Sequence, residues 1–330
     1  MRLIYFGHYW RSYRGMDLDI RTLLKHLSAQ GIECLAITYP LIEQEKQLSI
    51  NVPGVKVLNI EKEPYKDICD SALSVLDKAE GDILLTSFPP EVGAWEIARK
   101  KNIKIIQKYS LVYDIPPPDI SNLMVDYNVF NSEACKNAWL DRGIEGPNAV
   151  IYPEIEVDLK TIPEPGNAIG MINPVSHKGS RIFDNLANTS DEIFLSGGGW
   201  ATHPGMNLQK HPNRVHIPHM QEISDFYKRL KLLLVPTQDT HFETYGRVIV
   251  EAMMHGVPVM ASNKDGIPEA ANGAAMLIDE YESLEPWVQG LQDMLQKLPK
   301  YRELAIERAE RYNLEAIINK WAREIKNIIT

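Results

Sequence analysis

Two carboxylates in the second half of the chain, Glu243 and Glu251, have seven residues between them at a junction where a ligand is expected. They lie in the segment from Leu232 to Ser262. There an apolar run ends at Pro236, a polar loop follows, Gly246 permits a tight approach, and a helix opens with its apolar face inward. That order predicts strand, loop and helix, and open α/β sheets bind ligands beyond the carboxyl ends of their strands. An acid in the loop can accept hydrogen bonds from hydroxyls, while a second acid about one and a half turns into the helix can hold another pair. The pattern suits a polyhydroxylated ligand. On the residues alone an alternative stands beside it, in which Glu243 only favours the helix N-terminus and Glu251 is a solvated helix residue.

The elements that must position these acids follow from the alternation of short apolar runs with helical patterns. In the N-terminal part strands are expected at 3–7, 33–38, 55–60, 82–87, 104–108 and 127–131, with helices at 18–30, 66–78 and 91–101. This is the signature of a doubly wound parallel sheet. A Pro- and Gly-containing acidic stretch from Glu154 to Asn167 reads as a linker. The alternation then restarts, with strands at 168–172, 192–196, 215–217, 232–236, 257–262 and 275–278 and helices at 179–188, 221–230 and 246–255. The expected organisation is an N-terminal Rossmann-like domain over 1–155, a second Rossmann-like domain over 156–312 facing it across a cleft, and a C-terminal helix over 313–330 crossing back to the first.

Composition narrows the function classes. The chain has 330 residues, 35 Lys and Arg against 44 Asp and Glu, and a net charge of −9. Basic and acidic residues number 17 and 21 before residue 155 and 18 and 23 after it, so neither half carries the cationic footprint of a nucleic-acid binder. Three widely spaced cysteines, Cys34, Cys69 and Cys135, fit a reducing compartment better than a disulfide framework. No apolar stretch approaches eighteen residues, which predicts a cytoplasmic protein and leaves peripheral contact with a membrane open.

Glu243 and Glu251, followed by Ala252, Gly256, Pro258 and Val259, resemble the signature of retaining GT-B glycosyltransferases of the GT4 type. The resemblance extends upstream to Lys178-Gly179, which is similar to that family's phosphate-binding turn, and to the Gly197-Gly198-Gly199 run. Downstream it includes the turn at Gly266, Pro268 and Glu269. Order and spacing agree over roughly residues 168–280. The resemblance implies a GT-B architecture and an enzyme that moves a sugar from a UDP- or GDP-linked donor to a hydroxyl acceptor, whether glycan, lipid-linked or small molecule. It implies retention, no metal and no other cofactor. Lys178 would stabilise the diphosphate leaving group, Glu243 would contact the transferred sugar, and Glu251 would bind the ribose hydroxyls. Backbone N–H groups at Tyr245, Gly246, Arg247 and Val248 would cap phosphate oxygens, with Gly198 and Gly199 allowing close passage of the nucleotide. Gly15, in the loop after the first strand, would approach the phosphate from the first domain.

This chain departs from the family in two places. Asn173 stands where an Arg usually precedes the phosphate lysine, which makes Arg247 or Arg14 the candidate second cation, and Tyr109 or Ser110 stands where a His usually ends a first-domain strand. Asp17 and Asp19 spell a DxD, but residues two apart on a helix point to different sides, so no metal site is expected there. His203, His211, His216 and His219 follow no metal-binding spacing and read as loop histidines. The basic run Arg99-Lys100-Lys101 with Lys104 and Lys108 reads first as a solvated helix end and second as a contact for an anionic acceptor. Two alternatives share the fold and differ in chemistry: a sugar-nucleotide 2-epimerase, and a non-catalytic sugar-nucleotide or glycan-binding protein. The nucleobase, sugar, acceptor and oligomeric state stay open at this level.

Overall fold

The structure, a computed structural model, describes residues 1–7, 15–39, 51–60, 65–87, 91–112, 118–198, 212–217 and 222–329. It divides into two compact units, Met1–Glu154 with Leu314–Thr330, and Ile155–Asn313.

The first unit is a parallel sheet covered on both faces. Its elements in chain order are β1 (Arg2–Gly7), α1 (Gly15–Ala29), β2 (Glu33–Thr38), β3 (Val55–Asn59), α2 (Tyr65–Lys78), β4 (Ile83–Thr86), α3 (Val92–Lys100), β5 (Lys104–Tyr109), α4 (Pro118–Met124), β6 (Tyr127–Phe130), α5 (Glu133–Leu140) and β7 (Asn148–Val150). Among the described residues the strand order is β3-β2-β1-β4-β5-β6-β7. Successive side chains on β1 alternate between faces: Leu3 and Tyr5 join one core cluster, Ile4 and Phe6 the other. A central strand buried on both sides must be apolar throughout, which is why 3–6 reads as a continuous run. Beyond the expected elements, α4, α5 and β7 complete the unit; their short segments lack a long period.

The second unit contains β8 (Ala168–Ile172), a single 3₁₀ turn (Ser176–Lys178), α6 (Ser180–Asn188), β9 (Ile193–Gly197), β10 (Arg214–Ile217), α7 (Ile223–Tyr227), β11 (Leu230–Val235), α8 (Arg247–Met254), β12 (Val259–Ser262), α9 (Ile267–Ala271), β13 (Met276–Ile278), α10 (Leu284–Gln296) and α11 (Leu298–Glu310). Its described strands run β10-β9-β8-β11-β12-β13, all parallel. The helix expected over 221–230 is shorter, because Leu230 already pairs with Ala168 in the sheet.

The last helix, α12 (Leu314–Ile329), packs in the first unit. Ile318, Trp321, Ala322 and Ile325 are buried at three- and four-residue spacing in the same cluster as Leu3, Leu23 and Leu24. Polar contacts fix its register: Tyr127 Oη donates to Glu324 at 2.8 Å, and Lys320 Nζ donates to the Val150 carbonyl at 2.7 Å.

Candidate functional site

At the carboxyl end of β8 the chain makes a turn on Asn173, whose backbone is left-handed (φ 54°) and whose N–H donates to Gly197 O at 2.9 Å. Val175 N closes the turn on Asn173 O at 2.7 Å, and Lys178 ends the 3₁₀ turn that follows. Gly179 then passes directly over the end of β11. Its φ is 87°, and a Cβ there would lie 1.9 Å from the Pro236 carbonyl oxygen, so only glycine fits. The His177 carbonyl accepts from Gln238 N at 3.0 Å. These contacts dock the Lys178 turn against the loop that carries Glu243.

The loop is held from its other side. Asp265 Oδ2 accepts from Glu243 N at 3.0 Å, and Gly266 N donates to Glu243 O at 2.9 Å, clasping the backbone of the acid at both ends. This clasp also requires glycine, since a Cβ on Gly266 would meet the Thr244 carbonyl oxygen at 2.0 Å. Lys264 Nζ donates to the carbonyls of Gln238 at 3.0 Å and His241 at 2.7 Å. The loop therefore has a fixed path although it contains no helix or strand.

On that frame Lys178 Nζ forms an ion pair with Glu243 Oε2 and donates to His241 Nε2 at 2.9 Å. An ammonium has no acceptor, so His241 accepts and its proton resides on Nδ1. Burial, and next the positive charge of Lys178, lower the His241 pKa to about 4. Burial by itself would raise the Glu243 carboxyl, but Lys178, His241 and Lys264 outweigh it and hold the group below its ordinary value. The His177 ring lies 4.9 Å from that of His241, and its pKa too is lowered, by burial and then by Lys178.

Glu251 belongs to a second, adjoining set. It is 6% exposed. Arg247 Nε donates to its Oε1 at 2.6 Å and Tyr227 Oη to its Oε2 at 2.9 Å. Glu251 is therefore not a solvated helix residue, and Arg247, the candidate second cation, engages it through Nε. Gly246 precedes α8 with a left-handed backbone, φ 89°. Tyr245 is buried, its Oη accepting from Arg308 at 3.3 Å, and Val248 packs against the same core. Gly198 N donates to Ile217 O at 2.8 Å at the end of β9.

The structure thus brings together Asn173, Lys178, Glu243, Tyr245, Gly246, Arg247, Val248 and Glu251 at the carboxyl ends of β8 and β11. Gly15 opens α1 in the other unit. Gly199, Arg14, His203, His211 and His219 lie outside the described residues.

Other expectations resolve locally. Tyr109 does not present itself as a substitute for the family's His; its ring packs 4.9 Å from both Phe130 and Trp139 in the core. Asp17 and Asp19 are both buried on α1, and His216 Nδ1 pairs with Ser196 Oγ at 2.9 Å. Arg99, Lys100 and Lys104 of the basic run are exposed, as a solvated helix end requires; Arg99 and Lys104 meet Asp126 at 3.2 and 3.5 Å, Lys101 donates to the carbonyls of Asp77 and Ala79, and Lys108 alone is buried. Among the described residues no helix is long and apolar enough to cross a membrane, and no group of three or more His, Cys, Asp or Glu is arranged to hold a metal ion.

Sequence reading missed His241, Tyr227, Lys264 and Asp265 as partners of the two acids. For His241 a signal existed, since it stands two residues before Glu243 in a loop with no helical period.

Residues 182–297 match the model of the family described as glycosyl transferases group 1. A curated relative, D-inositol 3-phosphate glycosyltransferase from Corynebacterium aurimucosum, is 29% identical over 112 residues, a match covering 33% of this chain and 25% of that protein's length. Among solved structures, a glycosyltransferase from Rickettsia africae superposes with a TM-score of 0.75 at 16% identity, covering 100% of this chain and 98% of the other. Anabaena HepE, crystallised in complex with UDP-glucose, gives 0.75 at 15% identity, with 99% and 100% covered. A putative UDP-N-acetylglucosamine 2-epimerase from Listeria monocytogenes gives 0.61 at 14%, with 99% and 96% covered. Residues 182–297 thus match the group 1 glycosyltransferase model, and the whole chain shares the two-domain fold of these glycosyltransferase structures.

Proposed function

We propose that the chain is a retaining, metal-independent glycosyltransferase that uses a nucleoside-diphosphate sugar, UDP- or GDP-linked, and a hydroxyl acceptor. The observation that carries this reading is the Lys178 ammonium, fixed at the carboxyl ends of β8 and β11 beside Glu243, which lies in the loop just before the start of α8. In the reaction the bond from the anomeric carbon to the diphosphate oxygen breaks, a bond to the acceptor oxygen forms on the same face, and the acceptor proton passes to the departing diphosphate. Negative charge grows on the leaving group as positive charge grows on the ring. Lys178 stabilises the former, together with N–H groups at the start of α8. Glu243 addresses the sugar hydroxyls. Glu251, oriented by Tyr227 and Arg247, presents its remaining acceptor positions to the ribose.

Thermal-shift measurements against UDP, GDP, ADP and TDP test the reading. Saturation at a hundred times the dissociation constant stabilises by about 2.7 kcal/mol. One responder among UDP and GDP, followed by product formation from its sugar conjugate only when an acceptor is present, is the expected result. Isomerisation of the donor alone would select an epimerase, and binding without turnover a sugar-nucleotide-binding protein.

A further inference from the structure

An ammonium carries three N–H donors. Lys178 uses one on Glu243 and one on His241 Nε2, and among the described residues the third has no partner. We propose that His241 is a positioning residue for Lys178: a neutral acceptor that, together with Glu243, turns the third N–H toward the donor's diphosphate. The inference rests on the reading of this site as a diphosphate site.

The chemistry of the side chain explains its presence. A carboxylate at position 241 would hold the ammonium as firmly but would add a second negative charge where a diphosphate must bind. An aliphatic residue would leave Lys178 free to collapse onto Glu243. A neutral imidazole takes one N–H and adds no charge. Its aim matters here because Asn173 supplies no second cation to the turn. The backbone of His241 is fixed, its carbonyl accepting from Lys264 Nζ and its backbone N–H donating to Gln238 O at 3.1 Å, and its ring lies beside that of His177. The charged and titratable groups facing it are Lys178, Glu243, His177 and Lys264, and the balance of burial and positive charge keeps it neutral at ordinary pH.

Two measurements test this. By two-dimensional NMR of the histidine side chains, the His241 titration near pH 4 should move up toward the ordinary range in Lys178→Ala; an unchanged midpoint would overturn the contact whatever the ligand. Calorimetric titration with UDP and with GDP should show His241→Phe, which keeps the ring volume without an acceptor, weakening nucleoside diphosphate binding about five- to tenfold, with His241→Gln recovering most of the loss. In a Lys178→Ala background His241→Phe should have no further effect, as coupled residues require. An equal loss in both backgrounds, or wild-type affinity in His241→Phe, would refute the positioning role. If the wild-type protein bound neither nucleotide, the proposed function would fail, while the NMR measurement would still decide the His241–Lys178 contact.

Discussion

A Lys–Glu pair in the first unit and another in the second are set in different surroundings. In the first unit Lys108 on β5 pairs with Glu154, with side chains 1% and 0% exposed. The second oxygen of Glu154 accepts from Trp321 Nε1 at 2.5 Å, and the ammonium lies 5.5 Å from the Trp321 ring. This pair joins a central strand, the last residue before the chain leaves the unit, and the helix with which it returns. In the second unit Lys178 and Glu243 are 19% and 15% exposed, and the ammonium also donates to His241 Nε2. The same two functional groups thus make a sealed fastening in one place and a partly exposed pair in the other. What separates them is access to water: the first pair is sealed from solvent and the second is within its reach, and a sealed ion pair is sensitive to the loss of either partner.

The sharpest break of this comparison is Glu154→Ala. Removing one partner of a sealed pair strands the other, and we expect a loss of about 3–5 kcal/mol in denaturant unfolding. A loss below 1 kcal/mol would show that the pair is not sealed. Lys178→Ala should do the opposite, lowering turnover by about a hundredfold or more while leaving unfolding nearly unchanged, because it removes stabilisation of charge that develops only in the reaction. Kinetics and chemical denaturation of the two variants side by side would make the contrast quantitative.

A pH dependence follows from the second unit's histidines. His241, His177, His216 and His255 all have folded pKa values lowered, each chiefly by burial. Below pH 6.5 the unfolded chain therefore binds protons that the folded protein refuses, so stability rises with pH in this range. Stability should fall as the pH is lowered from about 6.5 to about 4, with His241 contributing about 1–2 kcal/mol after allowance for solvent screening. Unfolding midpoints across that range, compared with those of His241→Gln, measure it. The smallest effect is expected from Tyr227→Phe, which removes one of the donors to Glu251 and should weaken nucleotide binding by about 1 kcal/mol in calorimetry.

Much of the architecture was readable in advance, and the reason is periodicity. A run such as Leu3 to Phe6 must be buried on both faces, and the spacing of Ile318, Trp321, Ala322 and Ile325 defines one apolar stripe. Elements without a long period, such as α4, α5 and β7, did not stand out, and the 221–230 segment was assigned to helix past the point where sheet pairing claimed Leu230. The site was legible at Lys178, Glu243 and Glu251 because motif order marks them. Their partners were not. Tyr227 lies 24 residues from Glu251, and Lys178 lies 63 from His241. The burial of Tyr109 was hidden for a related reason, since nothing local shows that Phe130 and Trp139 enclose its ring.

By itself the amino-acid sequence determined the doubly wound character of both halves and the identity of the acids and the lysine at the end of two strands. Short-range sterics and apolar period are enough for that. Only the tertiary structure decided which charged groups are shut off from water. Lys108 and Lys178 are chemically the same side chain. Which of them is sealed and which stays within reach of solvent depends on neighbours that chain folding brings from far along the sequence, and on the water they exclude.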